Sequence, residues 1–117
     1  MISFSPQQKY HLYLSPTDMR KSFDGLCGII RNELNRDAMA GEVFLFLNKP
    51  RNRIKVLVWD RNGFWVCCKR LEEGVFTIPS FNPEHKEIHL PWDKLQLMLE
   101  GIEINNTRFK KRYGRAV

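Results

Sequence analysis

Five cations, Arg51, Arg53, Lys55, Lys69 and Arg70, crowd a short stretch around Trp59 and Trp65, and five more, Arg108, Lys110, Lys111, Arg112 and Arg115, crowd the C-terminus. Guanidinium and ammonium groups neutralise phosphates, and indole faces stack on bases, so the chemistry on offer is contact with a nucleic acid. These ten residues are the candidate nucleic-acid contacts. The charge is local. The net charge is +6, yet no acid follows Glu103, and the 14 cations before residue 108 are all but balanced by 13 acids. Between residues 49 and 70 seven cations face Asp60 alone. If all five tail cations met phosphates, they would add about −4 to −5 to the slope of log affinity against log salt.

The other reactive side chains lack such grouping. Two-metal phosphoryl transfer needs carboxylates clustered in space. Here Asp18 fits a helix start, Asp24 can pair with Arg20 one turn earlier, and Asp60, Glu72 and Glu73 sit in or beside turns. No serine stands in a nucleophile elbow and no Walker-type phosphate loop is present, so no catalytic residue is assigned and no enzymatic activity is expected. His11, His85 and His89 could serve a small basic ribonuclease as acid–base groups, but they are scattered and lack a supporting constellation. His85 and His89 would suit a metal only on a helix, and residues 88–90 look extended. Cys27, Cys67 and Cys68 form no C-x-x-C pair, and an odd count argues against a disulfide framework. No cofactor and no metal are expected.

The elements that would position these groups follow from periodicity. Ser15 as cap, Pro16 in the first turn and Asp18 three residues after the cap predict a helix start. Met19, Phe23, Leu26, Cys27, Ile30 and Leu34 then make its apolar face. Gly25 and Gly28 inside that helix favour a sheet backbone passing close by over a ligand cradle, because phosphate-binding glycines precede a helix instead of lying within it. Residues 11–14 suggest a first strand, with a buried loop as the alternative, 42–47 a strand buried on both faces or covered on one by a helix, and 53–59 a strand with Arg53, Lys55, Leu57 and Trp59 on one side. Asn62-Gly63 predicts a type I′ hairpin turn leading into 64–70, where Cys67 and Cys68 point to opposite faces. Strands at 75–78 and 87–90 complete a meander. Pro91 opens a short helix with Trp92, Leu95, Met98 and Leu99 as its stripe, ended by Gly101.

The expectation is an α+β domain over residues 1–107: an antiparallel β-meander of about five strands, one long helix packed on a face, and a short C-terminal helix. Residues 108–117 form a basic tail expected to be flexible. At 117 residues and 43% hydrophobic content, the chain supports one core. No apolar run approaches the ~18 residues of a membrane span, and the N-terminus lacks the marks of a signal peptide, so a cytoplasmic location is expected.

Four blocks together, PTDMRKSFDGL at 16–26, GEVFLF at 41–46, RIKVLVWDRNGFWVCCKRLEEGVF at 53–76 and LPWDKLQLMLEGIE at 90–103, resemble the TnpB-type accessory protein encoded by the second open reading frame of the insertion-sequence-66 group of bacterial transposable elements. The resemblance spans Leu14 to Glu103. It implies a non-catalytic factor in transposition, with the separate, larger transposase and other accessory proteins of the element as partners. DNA is the partner that the charge suggests. An adaptor between proteins with no DNA contact is the alternative. No membrane partner is expected, and the oligomeric state is left open.

Overall fold

The computed structural model describes residues 4–101, so the basic tail at 108–117 and the boundary at 107 lie outside the described residues. Seven elements follow one another: β1 (Tyr10–Tyr13), α1 (Phe23–Asn32), β2 (Val43–Leu47), β3 (Arg53–Asp60), β4 (Gly63–Arg70), β5 (Glu87–Leu90) and α2 (Trp92–Leu99). The class is α+β with five strands, but the sheet is mixed. Its order is β4-β3-β2-β1-β5, and β1 runs parallel to β2 while every other pair is antiparallel.

The expected meander fails at both of its ends. Residues 75–78 are not a strand; Phe76 instead tucks its side chain into the core and donates its N–H to the Arg51 carbonyl at 2.7 Å. The first strand takes an interior place because Tyr10 and Leu12 are as deeply buried as the β2 residues beside them. Two apolar strands placed side by side and parallel need a crossover, and α1 is that crossover. All five β2 residues are buried, as an uninterrupted apolar run requires.

The expected helix start also moves, by seven residues. Asp18 does not sit at a helix N-terminus: its carboxylate accepts the Arg20 N–H at 2.9 Å in a local turn. Thr17 donates its N–H to the Leu47 carbonyl at 2.8 Å, fastening residues 15–22 as an extended strap across the end of β2. Helix α1 begins only at Phe23, with Ser22 at its cap position and no side-chain capping bond. The helices therefore span ten and eight residues, not one long and one short. Leu26 and Ile30 carry the buried face of α1, joined by Leu34 just past its end, whereas Phe23 is 45% exposed.

The sheet separates two apolar clusters. On one face Leu26, Ile30 and Leu34 pack on Phe44, Phe46 and Leu57. On the other, Leu95 and Met98 of α2, with Phe76, cover Tyr10, Leu12, Val43, Leu45, Ile54 and Val56. Pro91 precedes α2 and Gly101, at φ 76°, follows it, as expected. The β3–β4 hairpin forms, but Asp60 pairs with Gly63, so Arg61 and Asn62 are the turn residues and Arg61, not Gly63, takes the positive φ of 54°.

Neither helix glycine meets the sheet. A Cβ on Gly25 would lie 3.2 Å from the Lys21 side chain in the strap, and one on Gly28 would have no heavy atom within 4 Å. Gly28 therefore carries the helix cost of glycine with no packing return. We expect Gly28→Ala to stabilise the fold by about 0.5–1 kcal/mol, measured as a higher urea midpoint at unchanged m-value. An unchanged or lower midpoint would mean that the position has a packing constraint.

Candidate nucleic-acid interface

Alternation along β3 sends Arg53, Lys55, Leu57 and Trp59 to the α1 face, and register carries Arg70 and Cys68 of β4 to the same face. Leu57 is buried beneath α1, and Trp59 meets Phe64 edge to face at 5.0 Å. Beyond Leu57 the strip of Arg53, Cys68 and Arg70 is exposed, with Lys55 half-buried. Arg53 and Arg70 stand directly opposite one another. Like charges in that position repel unless a counter-charge intervenes. Glu72 supplies part of it, accepting from Arg70 at 2.6 and 2.9 Å.

Lys69 departs from the expected group. One residue along β4 from Arg70, it faces the α2 side, and its Nζ donates to the Leu99 carbonyl at 2.6 Å. Trp65 shares that side, 43% exposed, with its indole N–H donated to Asp60 at 3.1 Å. The two tryptophans therefore lie on opposite faces of the hairpin. They do not form one stacking platform.

Arg51 joins the group through the β2–β3 loop. Asn48 Oδ1 accepts the N–H groups of Asn52 and Arg53, both at 3.0 Å, and Arg51 donates its N–H to the Asn48 carbonyl at 3.0 Å. Asn52 and Arg51 in turn accept from Leu71 and Phe76 at 2.8 and 2.7 Å. The loop is bolted from both sides, which sustains the left-handed φ of 60° at Arg51, a conformation that costs a side-chain-bearing residue about 1–2 kcal/mol.

The strap adds cations that sequence reasoning left out. Arg20, Lys21 and Lys49 lie in the connections at the same end of the sheet as Arg51, Arg53, Lys55, Lys69 and Arg70. Lys55 Nζ donates to the Lys21 carbonyl at 2.6 Å and ties strap to strand. Of the acids at this end, Asp18 and Glu72 are engaged by Arg20 and Arg70. The signal available in the sequence was the pair of cations in the Asp18–Ser22 segment; assigning that segment to a helix scattered them around a wheel.

The titratable groups at the opposite part of the sheet do different work. His11 is 4% exposed; its Nε2 lies 2.6 Å from Glu42 and its Nδ1 3.1 Å from Glu87, the latter in poor hydrogen-bonding geometry. Arg36 clasps Glu87 through Nε at 2.9 Å and comes within 3.6 Å of Glu42. This network cross-links β1, β5 and the α1–β2 connection. His89 approaches His11 only at 6.2 Å between ring centroids, and His85 is exposed in a turn, so the three histidines do not converge as ribonuclease groups. Asp24 pairs with no Arg20 either, because Arg20 is held by Asp18. Among the described residues, no three His, Cys, Asp or Glu side chains gather to hold a metal ion. Burial, reinforced by Asp24, pushes the Cys27 thiol up, away from nucleophilic character.

The family model described as IS66 Orf2-like protein matches residues 8–109. The chain belongs to the IS66 Orf2-like family. It is thus a component of an insertion-sequence element, as the four sequence blocks implied. Two relatives come from Sinorhizobium fredii (strain NBRC 101917 / NGR234). The uncharacterized protein y4jC is 28% identical over 112 residues, 96% of this chain and 92% of its own length. The uncharacterized protein y4hO is 31% identical over 87 residues, 74% of each chain. No solved structure matches significantly. No helix among the described residues is long and apolar enough to cross a membrane.

Arg20 holds the Asp18 carboxyl down to about 2 through its guanidinium and its backbone N–H. A depressed folded-state value means that this contact contributes its stability above the ordinary 3.8 and loses it as pH falls toward 2. We expect the Asp18 carboxyl, followed by carbon-detected NMR, to titrate near 2 and to return toward 3.8 in Arg20→Gln. A titration at the ordinary value in the unmodified chain would show that the strap turn does not hold in solution.

Proposed function

We propose that this family member is a non-catalytic accessory factor in DNA transposition that binds DNA through the basic end of its sheet and helps assemble the separate transposase on the element. The observation that carries this reading is the gathering of Arg20, Lys21, Lys49, Arg51, Arg53, Lys55, Lys69 and Arg70 at one end, where β2, β3 and β4 meet the strap. Lys49, Arg51 and Arg53 have no acidic partner among the described residues, so their field is open to a polyanion. Contacts of this kind fix affinity and position, whereas sequence is read by side chains aimed at base edges. Among the described residues no recognition helix projects from the basic end: α1 begins there but lays its buried face on the sheet. The C-terminal cations Arg108, Lys110, Lys111, Arg112 and Arg115 would add sequence-independent affinity from the same cytoplasmic protein.

A second reading, the protein adaptor, draws on a different surface. A groove of about 520 Å³ beside α1 is lined by Cys27, Ala38, Met39 and Phe64 together with the charged Asp24, Arg31, Arg36 and Asp37, and Met39 is 55% exposed. A protein partner and DNA could thus occupy separate ends of the α1 face.

Fluorescence anisotropy with a labelled duplex over a salt series separates the two. We expect the triple variant Arg51→Gln, Arg53→Gln, Lys55→Gln to bind more weakly and to flatten the slope of log affinity against log salt by about 2 to 3, while Lys94→Gln on α2 leaves it unchanged. Equal slopes in folded proteins would remove the basic end from the account. Transposase capture surviving in the triple variant without DNA retention would favour the adaptor.

A further inference from the structure

The strap and the β2–β3 loop border an open recess of about 360 Å³ whose lining includes Thr17, Asp18, Met19, Asn48, Lys49 and Arg53. It lies beyond the carboxyl ends of β1 and β2, the parallel pair, which is where α/β sheets leave room for ligands between successive connections. Three features of its wall are unexplained by the fold alone. Thr17 is 4% exposed and its Oγ1 has no hydrogen-bond partner among the described residues, a costly state for a buried hydroxyl. The Lys49 ammonium and Arg53 guanidinium share the lining without an ion pair among those residues. The side chain of Asn48, the residue between β2 and Lys49, is spent on Asn52 and Arg53, which fixes the loop that carries both cations.

We propose that this recess seats one internal phosphodiester of the DNA backbone, with Lys49 and Arg53 neutralising its charge and the Thr17 hydroxyl, turned about χ1, donating to an oxygen. The proposal rests on the DNA-binding reading and narrows it to a position. A terminal phosphate monoester shares the chemistry but carries a second negative charge. Along a duplex the internal diester recurs at every step, whereas a monoester stands only at a strand end. The internal diester is therefore the occupant, and the strap motif acquires a purpose that a helix start would not have given it.

Amide NMR titrations of the full chain at pH 8 with dimethyl phosphate and with methyl phosphate provide the test. Dimethyl phosphate is expected to shift the Thr17, Asn48 and Lys49 amides to saturation, and a duplex lacking terminal phosphates to move the same amides. Lys49→Gln and Arg53→Gln should each abolish saturation. In duplex binding their losses should be non-additive, the double variant flattening the salt slope by about 1 because both serve one phosphate. Thr17→Val, nearly isosteric, should keep or raise the urea midpoint while weakening dimethyl phosphate binding. Unmoved recess amides, a response to methyl phosphate with none to dimethyl phosphate, or additive losses with a slope change of about 2 would each overturn the seat. If duplex binds without moving these amides, the seat falls and DNA binding stands. If dimethyl phosphate saturates the recess but no duplex binds at low salt, the seat's chemistry stands and the DNA-binding reading falls.

Discussion

The parallel pairing of Tyr10–Tyr13 with Val43–Leu47 is the constraint on which the rest of the molecule depends. Both strands are too apolar to lie at an edge, so they share the centre of the sheet, and a parallel neighbour can be reached only by crossing over. The crossover must leave β1 at the end where β2 also finishes. Eight residues, 15–22, are consumed in passing that end before α1 can begin, and the Thr17-to-Leu47 bond holds them there. The strap, the β2–β3 loop and the ends of β3 and β4 thereby converge, and each brings cations. A purely antiparallel meander would have left them apart.

Charge and packing divide the molecule accordingly. Around His11, acids and cations neutralise one another across Glu42, Glu87 and Arg36, and the network serves cohesion of β1 with its edge partner β5. At the strap end the cations outnumber the acids, and several are tied to carbonyls or to nothing charged. A protein gains no stability by crowding like charges opposite one another, as Arg53 and Arg70 are. Such an arrangement is what contact with a polyanion would require, and the rigid β2–β3 loop lowers the ordering cost of making it.

Much of this was legible in the sequence wherever one force dominated. The uninterrupted apolar run of β2, the alternation of β3, the opposite faces of Cys67 and Cys68, and Pro91 and Gly101 flanking α2 all depend on local pattern and were found where expected, and the hairpin formed with its turn one residue earlier than Asn62-Gly63. What could not be read depends on long-range competition. Ser15, Pro16 and Asp18 satisfy every rule for a helix start, yet the Leu47 carbonyl and the Arg20 side chain offered Thr17 and Asp18 better partners. Strand direction at β1 is likewise invisible to periodicity, because parallel and antiparallel neighbours bury the same face. In the candidate site, Arg51, Arg53, Lys55 and Arg70 fall together as the alternation of β3 and β4 and the β2–β3 loop imply. Lys69 falls on the other face by the same alternation, Lys49, counted in the basic stretch but not among the contacts, joins through the β2–β3 loop, and Arg20, Lys21 and Thr17 emerge only once the strap is laid across the strand ends.

Hydrogen exchange of the full chain with and without duplex DNA measures the central claim most directly, because it locates contact without presupposing residues. The account predicts slowed exchange in residues 15–22 and 48–55, with α2 and β5 unchanged. Protection confined to α2 and β5, or none anywhere at low salt, would contradict it.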